Sequence, residues 1–335
     1  MKILAIESSC DDTSVAVIEG NNVLSNLISS QTIHSNYGGI VPELASRSHI
    51  NNISELTKLS LEESETSIKD INAIAVTSEP GLLGSLIVGS SFAKGLSLKY
   101  NLPLVPINHI EGHIFSGCLE DSTLEFPFIS LVVSGGHTSL FLVNSYNDYD
   151  VVGMTKDDAA GEAFDKIGKL IGLGYPGGPL IDKFAKEGNS KEYDFPRSMI
   201  NSDDFDFSFS GLKTSVRYFI QKNFKFPLKE EEIKNLSASV QVAIVDVLVY
   251  KTRKAVKKYK VKNIVIGGGV SANSLLRSEF LKLENKGFKI VLPKMEYCID
   301  NAAMIGFLAS NKLYNSSLEY KDLKFKVSSR PMRSK

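Results

Sequence analysis

Two histidines four residues apart carry the clearest chemical signal in the chain. They stand at the ends of residues 109–113 (HIEGH), and the whole chain has only five histidines. In a helix, residues four apart lie on one face, so His109 and His113 could bind one metal ion together. Two structural or surface histidines are the simpler alternative, but such a pair is uncommon by chance and we favour a metal site. The motif is not the H-E-x-x-H of metalloproteases, because Glu111 stands third rather than second.

A carboxylate is the expected third ligand of such a site, and Asp300 is a candidate. It lies in residues 298–301 (CIDN), where a helix is predicted to begin. Taken alone, Asp300 is better explained as the residue that caps this helix, because aspartate accepts hydrogen bonds from free backbone N–H groups there. The residues by themselves leave both interpretations open.

Two segments of the chain have the same order of residues: an apolar run, a small polar turn and a second apolar run. They are residues 3–20 and residues 129–143, and the second turn reads SGGHT. β-Branched residues dominate the runs, which predicts two β-hairpins. Turns of this kind expose several backbone N–H groups that can hold an anion such as phosphate. The repeat predicts a duplicated two-lobe fold with the ligand between the lobes.

A third candidate ligand loop is the glycine triplet at residues 267–269, which follows a strand-like run. Glycine lets the backbone approach a ligand closely, as in nucleotide-binding loops, but a triplet alone is often only a tight turn. Neither the dinucleotide-binding spacing nor the P-loop spacing is present.

Several carboxylates could act as a base or contact a ligand. Asp11 and Asp12 lie in the first hairpin turn, where aspartate is also an ordinary turn residue. Their functional role would be that of a general base or a cation contact. Another predicted helix begins with four acids, some of them solvated, of which Asp165 could reach a hydroxyl or amine of a ligand. These acids are Asp157, Asp158, Glu162 and Asp165.

Strand-like and helix-like segments alternate along the chain, which favours an α/β fold. Besides the hairpins, strands are predicted at residues 23–29, 71–77, 104–107, 263–267 and 290–293. Helices are predicted at residues 42–61, 82–100, 157–171, 211–221, 230–258, from about 273, and 300–312. Residues 172–179 (GLGYPGGP) are predicted to be a rigid loop.

Composition sets the remaining limits. The 335 residues are 43% hydrophobic and suffice for two lobes, and the 38 basic and 38 acidic residues neither indicate nor exclude a nucleic-acid partner. Residues 251–262 hold seven Lys or Arg and no acid, which is typical of a solvated helix face but would also suit RNA phosphates. Three cysteines without paired spacing indicate a reducing compartment. We expect no leader before the first strand and find no apolar stretch long enough to span a bilayer, so we expect a cytoplasmic protein without a membrane partner.

Eight segments resemble, in the same order, the motifs of the bacterial tRNA threonylcarbamoyladenosine transferase family, once labelled glycoprotein endopeptidases. They are residues 7–11 (ESSCD), 109–113 (HIEGH), 134–138 (SGGHT), 158–166 (DAAGEAFDK), 175–179 (YPGGP), 208–214 (SFSGLKT), 267–273 (GGGVSAN) and 300–305 (DNAAMI). The resemblance covers nearly the whole chain. One departure is Asp12, where the family more often has the longer glutamate.

The resemblance implies a two-lobed α/β fold similar to actin, sugar kinases and the seventy-kilodalton chaperones. Lobe I would comprise residues 1–108 and 300–325, lobe II residues 109–299, and residues 326–335 would form a basic tail. His109, His113 and Asp300 would bind one divalent metal, taken as Fe²⁺ with Zn²⁺ as the alternative, and Asp11 would be the base. The bound nucleotide would be ATP or threonylcarbamoyl-AMP. Its contacts would be Val132, Val133, Ser134, Gly135, Gly136, Asp165, Gly178, Asp182 and Asn273.

The reaction implied is transfer of a threonylcarbamoyl group from threonylcarbamoyl-AMP to the exocyclic amine of an adenosine in tRNA. The partners implied are tRNA, a non-catalytic paralogue and a small ATPase. A metallopeptidase, with Glu111 activating water, and an ATP-hydrolysing kinase or switch protein are the alternatives. The first leaves the repeated hairpins without a purpose, and the second leaves the histidine pair without one.

Overall fold

This computed structural model describes residues 1–119, 121, 123–314 and 323–330. The chain folds into two compact units. The first unit is Met1–Ser122 with Ile299–Lys335, and the second is Thr123–Cys298. The sequence analysis placed residues 109–122 in lobe II, whereas the structure groups them with the first unit, because the helix that carries both histidines packs on the C-terminal helix of that unit. Residues 315–322 of the predicted lobe I and 331–335 of the predicted tail lie outside the described residues.

The described residues form ten strands and nine α-helices, joined by loops and short 3₁₀-helices. The strands are β1 Lys2–Glu7, β2 Asp12–Glu19, β3 Asn22–Ser30, β4 Ala73–Glu79, β5 Leu104–Asn108, β6 Phe128–Val133, β7 Thr138–Ser145, β8 Asp148–Met154, β9 Asn263–Gly267 and β10 Lys289–Val291. The helices are α1 Pro42–Glu63, α2 Leu83–Tyr100, α3 His109–Phe115, α4 Ala160–Leu170, α5 Gly177–Ala185, α6 Ser210–Asn223, α7 Glu230–Tyr259, α8 Ser274–Leu281 and α9 Ala302–Tyr314.

The first unit is built on one five-stranded sheet, in the order β3-β2-β1-β4-β5. β1, β2 and β3 are antiparallel neighbours, whereas β1, β4 and β5 run parallel. The central strands read as nearly continuous apolar runs because helices cover them: α1 packs on β2 and β3, and α9 packs on β1 and β2.

The second unit repeats this arrangement with the order β10-β9-β6-β7-β8. β6, β7 and β8 are antiparallel, and β6, β9 and β10 are parallel. Its core joins β6, β7 and β9 to α4, α6 and α7. The same strand order in both units confirms the duplicated α/β fold that the repeated hairpins predicted.

Two elements of the second unit were not predicted. β8 reads DYDVVGM, and its charged, mostly exposed residues give no apolar alternation. α5 begins inside the segment that was predicted to be a rigid loop, and its first turn is Gly177-Gly178-Pro179. Proline is tolerated in the first turn of a helix because the backbone N–H at that position would have no helical partner anyway. α4 begins at Ala160, so Asp157 and Asp158 precede it.

α7 is the one described helix that is long and apolar enough to cross a membrane by length and composition, although the sequence analysis found no such stretch. Its best 18-residue window has a mean hydropathy of 1.3, but 61% of that window is buried. A core helix of this length meets the same criterion.

Candidate active site

The histidine pair lies on α3, whose first turn is fixed by Asn108. The Asn108 side-chain oxygen accepts hydrogen bonds from the backbone N–H groups of Ile110 and Glu111, at 2.8 and 3.3 Å. Asparagine is a preferred residue at this position of a helix. Capping places His109 at the first helical position and His113 one turn later, both buried. The predicted helical spacing is therefore correct.

Asp300 meets both histidines. Its Oδ1 atom lies 3.4 Å from Nε2 of His109 and 3.2 Å from Nε2 of His113, and one ligand atom from each residue falls within 4.8 Å of the others. The residue that caps α9 is instead Asn301, whose side-chain oxygen accepts the backbone N–H of Met304 at 3.0 Å. The capping interpretation of Asp300 is thus wrong, and its carboxylate is available to the histidine pair.

A second carboxylate orients the first histidine from behind. Nδ1 of His109 lies 3.1 Å from Oε2 of Glu7 and 3.1 Å from the Ser9 hydroxyl, and Glu7 is fully buried. Glu7 also accepts hydrogen bonds from the Thr77 hydroxyl and the Ser9 backbone N–H. A carboxylate behind a metal-binding imidazole is the usual way in which proteins fix the tautomer and ring orientation.

The charges of this cluster suit a cation. Burial alone would lower the pKa of His109, but Asp300 and Glu7 outweigh it and raise that pKa well above its ordinary value. Burial lowers the pKa of His113. Burial would raise the pKa of Asp300 and of Glu7, but His109 outweighs it and holds both pKa values below their ordinary values. Two imidazoles and one carboxylate form a donor set that fits a divalent transition metal. Nδ1 of His113 is buried and has no hydrogen-bond partner among the described residues.

The turn between β1 and β2 adds further acids to the first unit. Burial raises the pKa of Asp12 to about 7; a hydrogen bond from Ser30 opposes this, and the charges of Asp300, Asp11 and Glu7 add to it. Burial also raises the pKa of the Cys10 thiol, together with Asp300 and Asp11, so Cys10 is a neutral thiol. Asp11 and Asp12 therefore belong to the same electrostatic neighbourhood as Asp300.

In the second unit, the hairpin turn after β6 meets α4 and the glycine triplet. Val132 and Val133 end β6 in the buried core, and the Ser134 carbonyl accepts the Gly161 N–H of α4 at 3.2 Å. A Cβ atom at Gly161 would lie 2.5 Å from that carbonyl oxygen. Gly268 has a φ of +86°, and a Cβ atom there would lie 2.4 Å from the Val133 carbonyl oxygen. Glycine is thus required for close backbone approach at both places.

Asp165 connects α4 to α5. Its Oδ1 accepts the backbone N–H groups of Gly177 and Gly178 at 2.8 and 3.2 Å, which satisfies the beginning of α5. Burial raises the pKa of Asp165 despite these two hydrogen bonds. Its other oxygen makes no hydrogen bond among the described residues. The neighbouring acids differ, since Asp158 and Glu162 both pair with Lys166 at the surface.

Gln241 of α7 is a residue that the sequence analysis missed, and it joins two predicted ligand contacts. Its Nε2 donates to Oδ1 of Asp182 at 2.9 Å and to Oδ1 of Asn273 at 3.1 Å. Asp182 Oδ1 also accepts the N–H and hydroxyl of Ser274, and Asn273 Oδ1 accepts the backbone N–H of Leu276, which caps α8. The available signal was a lone buried glutamine among apolar neighbours in α7.

Each unit thus gathers one group of the predicted residues. His109, His113 and Asp300 come together in the first unit, beside the turn that carries Asp11. In the second unit, hydrogen bonds and backbone contacts link the turn at residues 132–136 through α4 to Asp165 and Gly178, and Gln241 links Asp182 with Asn273.

Solved structures define the class of fold. Full-length HypF, in its phosphate- and nucleotide-bound form, has a TM-score of 0.64 and 14% identity over 94% of this chain and 47% of the HypF chain. The (R)-2-hydroxyglutaryl-CoA dehydratase component A of Acidaminococcus fermentans has a TM-score of 0.54 and 14% identity, over 94% of this chain and 97% of that chain. The two repeated sheets therefore form an α/β protein of the actin-like ATPase fold.

The family follows from sequence similarity. The model of the tRNA N6-adenosine threonylcarbamoyltransferase family, TsaD, matches residues 22–307. Relatives with that name are 50% identical in Thermodesulfovibrio yellowstonii, over 95% of this chain and 96% of the relative, and 48% identical in Thermosipho africanus, over the same shares. The chain belongs to the tRNA N6-adenosine threonylcarbamoyltransferase family, which confirms the resemblance seen in its motifs.

Proposed function

We propose that this chain transfers a threonylcarbamoyl group to the N6 amine of an adenosine in tRNA and releases AMP. The donor is threonylcarbamoyl-AMP, and the acceptor is the adenosine 3′ to the anticodon in tRNAs that read codons beginning with A. The observation that carries this proposal is that relatives named for this activity share about half of their residues over almost the whole chain. The gathered His109, His113 and Asp300 side chains support it from the structure.

The chemistry needs a base and an activated carbonyl. The lone pair of the adenine amine is delocalised into its ring, so the amine attacks the carbamoyl carbonyl slowly without help. As the C–N bond forms, the amine loses a proton and the bond between the carbonyl carbon and the phosphate oxygen of AMP breaks. We assign Asp11 as the base that takes the proton, a contribution of about 10²–10⁴-fold for such groups.

His109, His113 and Asp300 would hold one divalent ion, Fe²⁺ or alternatively Zn²⁺. When bound, such an ion supplies positive charge that polarises a carbonyl or phosphoryl oxygen. Glu7 and Ser9 hold the far side of His109, so that its Nε2 faces Asp300. This arrangement keeps the donor set in place before any substrate binds.

The second unit would hold the adenylate of ATP or of threonylcarbamoyl-AMP. In the turn at residues 134–136, the Ser134 N–H already donates to the His137 carbonyl at 2.8 Å, so Gly135 and Gly136 would offer their backbone N–H groups to the phosphate. Because Gln241 occupies Oδ1 of both Asp182 and Asn273, the Asn273 amide remains to donate. Oδ2 of Asp182 lies 3.7 Å from Nζ of the exposed Lys186, and at that distance it could still accept a ribose hydroxyl. Asp165 has one carboxylate oxygen left for the same purpose.

The expected partners are tRNA, a non-catalytic paralogue and a small ATPase subunit, and the expected location is the cytoplasm. Family membership supports the tRNA partner. The largely buried apolar window of α7 is consistent with a chain that does not enter a membrane.

The metallopeptidase alternative is weakened by the state of Glu111. A peptidase of this kind needs a carboxylate that is free to activate water. Glu111 instead forms an ion pair with Lys312 of α9. The kinase or switch alternative assigns no purpose to the cluster of His109, His113 and Asp300.

The test replaces the host enzyme with this chain and its partner subunits, and measures threonylcarbamoyladenosine in hydrolysed bulk tRNA by mass spectrometry. We expect the wild type to restore the modification and His109→Ala and Asp11→Ala to abolish it. Glu43→Ala, an exposed carboxylate at the beginning of α1, is the matched control and should restore it. A soluble wild type that restores nothing with its own partners would refute the proposal.

A further inference from the structure

The motif at residues 208–214 received no role in the sequence analysis, and in the structure it begins α6. The carboxylate of Asp157 accepts hydrogen bonds from the Ser208 hydroxyl, the Phe209 N–H, and both the N–H and the hydroxyl of Ser210, at 2.6–3.2 Å. Burial opposes these bonds, yet together they hold the pKa of Asp157 below its ordinary value. The start of α6 is therefore fixed to the segment that leads into α4.

The inner face of α6 is core and its outer face is exposed. Leu212, Val216 and Ile220 are buried in the core of the second unit. On the other side, Tyr218 is 67% exposed, Lys222 is exposed one turn after it, and Arg217 is exposed as well. No residue of α6 is acidic.

The cations of this surface are unneutralised. We call four basic residues in and just after α6 the α6 cations: Lys213, Arg217, Lys222 and Lys225. Their side chains form no ion pair or hydrogen bond among the described residues. Lys213 and Arg217 are four residues apart, and like charges at this spacing destabilise a helix. An anionic partner would remove this repulsion.

The other basic run of the second unit, residues 251–262, begins with two lysines that have partners. Lys251 is fully buried and its Nζ donates to the Ser202 hydroxyl and to Asp204, while Lys254 donates to the carbonyl oxygens of Ser202 and Asp203. These contacts hold a loop together. Four other lysines of that run are exposed: Lys257 and Lys258 on the last turn of α7, and Lys260 and Lys262 after it.

We infer that the outer face of α6 binds the tRNA substrate, with the α6 cations contacting backbone phosphates and Tyr218 stacking on an unpaired base. The inference rests on the proposed function, because that function supplies the tRNA. Unpaired cations around an exposed aromatic ring are how proteins hold single-stranded nucleic acid: the charges follow the phosphates and the ring stacks on a base of any identity. Anchoring by Asp157 gives this face a fixed position on the unit that would bind the adenylate.

The test measures unmodified tRNA binding by the assembled complex over a range of salt concentrations, and the KM and kcat for tRNA. Two lost phosphate contacts should reduce the slope of log K against log salt by about 1.4–1.8 in Arg217→Ala/Lys222→Ala. The KM for tRNA should rise while kcat and nucleotide affinity stay unchanged. Tyr218→Ala should weaken tRNA binding at least about fivefold, and Tyr218→Phe should not, because it keeps the ring.

Matched controls remove the same charge elsewhere. Lys191 and Lys286 are exposed residues of the second unit, so Lys191→Ala/Lys286→Ala should leave the salt slope and KM unchanged. An equal loss in this control, or a loss confined to Lys257→Ala/Lys258→Ala, would overturn the inference. So would unchanged tRNA binding in the α6 variants with weaker binding of a partner subunit, which would make the face a protein interface.

The two proposals fail in distinguishable ways. If the wild-type complex makes no threonylcarbamoyladenosine, the proposed function fails, and the binding measurement still decides whether α6 contacts tRNA. If the wild type is active and the α6 variants keep its KM and salt slope, only the surface is wrong.

Discussion

The buried carboxylate of Asp12 gives a prediction whose size follows from the structure. Its pKa rises from an ordinary 3.8 to about 7, chiefly because the carboxylate is buried. The hydrogen bond from Ser30 lowers this pKa, and the charges of Asp300 and Asp11 raise it further. In the unfolded chain the group ionises near pH 4, and in the folded chain only near pH 7. Between these values unfolding releases a proton, so a rise in pH favours the unfolded state. The cost is absent below about pH 4 and complete above about pH 7, where it is on the order of 4 kcal/mol.

Asp12→Asn removes this cost because an amide does not titrate. In protein freed of divalent ions, the advantage of the variant in the free energy of unfolding should grow by about 3 kcal/mol between pH 5 and pH 8. Urea unfolding at several pH values measures it. Glu19→Gln, at the exposed end of the same strand, is the matched control, since that side chain is in water in both states. An advantage that stays constant with pH, or a variant less stable than the wild type at pH 8, would refute the reasoning.

Three further outcomes follow from contacts described above. Glu7→Gln should lower divalent-metal affinity about 10–100-fold in a Co²⁺ titration, because the residue behind His109 sets its orientation; unchanged affinity would contradict the role given to Glu7. Gln241→Leu should raise the KM for the adenylate about tenfold with little change in kcat, because Asp182 and Asn273 lose their common donor; a fall in kcat alone would contradict a positioning role. Asp157→Asn should lower the free energy of unfolding by about 1–3 kcal/mol in urea, as the beginning of α6 loses a charged acceptor, and no loss would show that those hydrogen bonds are replaced by water.

Local patterns account for most of what the sequence predicted. The hairpins and the histidine pair depend on residues close in the chain, with periods of two and of four, so alternation and spacing were enough. β8 was missed because it is an edge strand whose Asp148 and Asp150 are exposed. α5 was not predicted because its first turn consists of glycine and proline, which ordinarily indicate loops.

The site depends on contacts that spacing does not reveal. Asp300 and Asn301 are neighbours, and both residue types cap helices, so only the folded chain shows that Asn301 caps α9 and Asp300 faces the histidines. Gln241 acts on Asp182 and Asn273 across 59 and 32 residues of sequence. Asp157 likewise meets residues more than 50 positions away.

The discontinuous first unit has a consequence for synthesis on the ribosome. Asp300 lies 187 residues after His113, so the three proposed metal ligands cannot come together until residue 300 has been synthesised. At a synthesis rate of about 5–20 residues per second, the two histidines are made roughly 10–40 s before Asp300. Over the same interval the apolar face of β1 and β2 lacks α9, which covers it in the folded chain. The first N–H groups of α9 donate hydrogen bonds to the side chains of Ser14 and Asn26. The proposed metal could therefore bind all three ligands only late in synthesis or after it, and the sheet of the first unit stays without α9 until then.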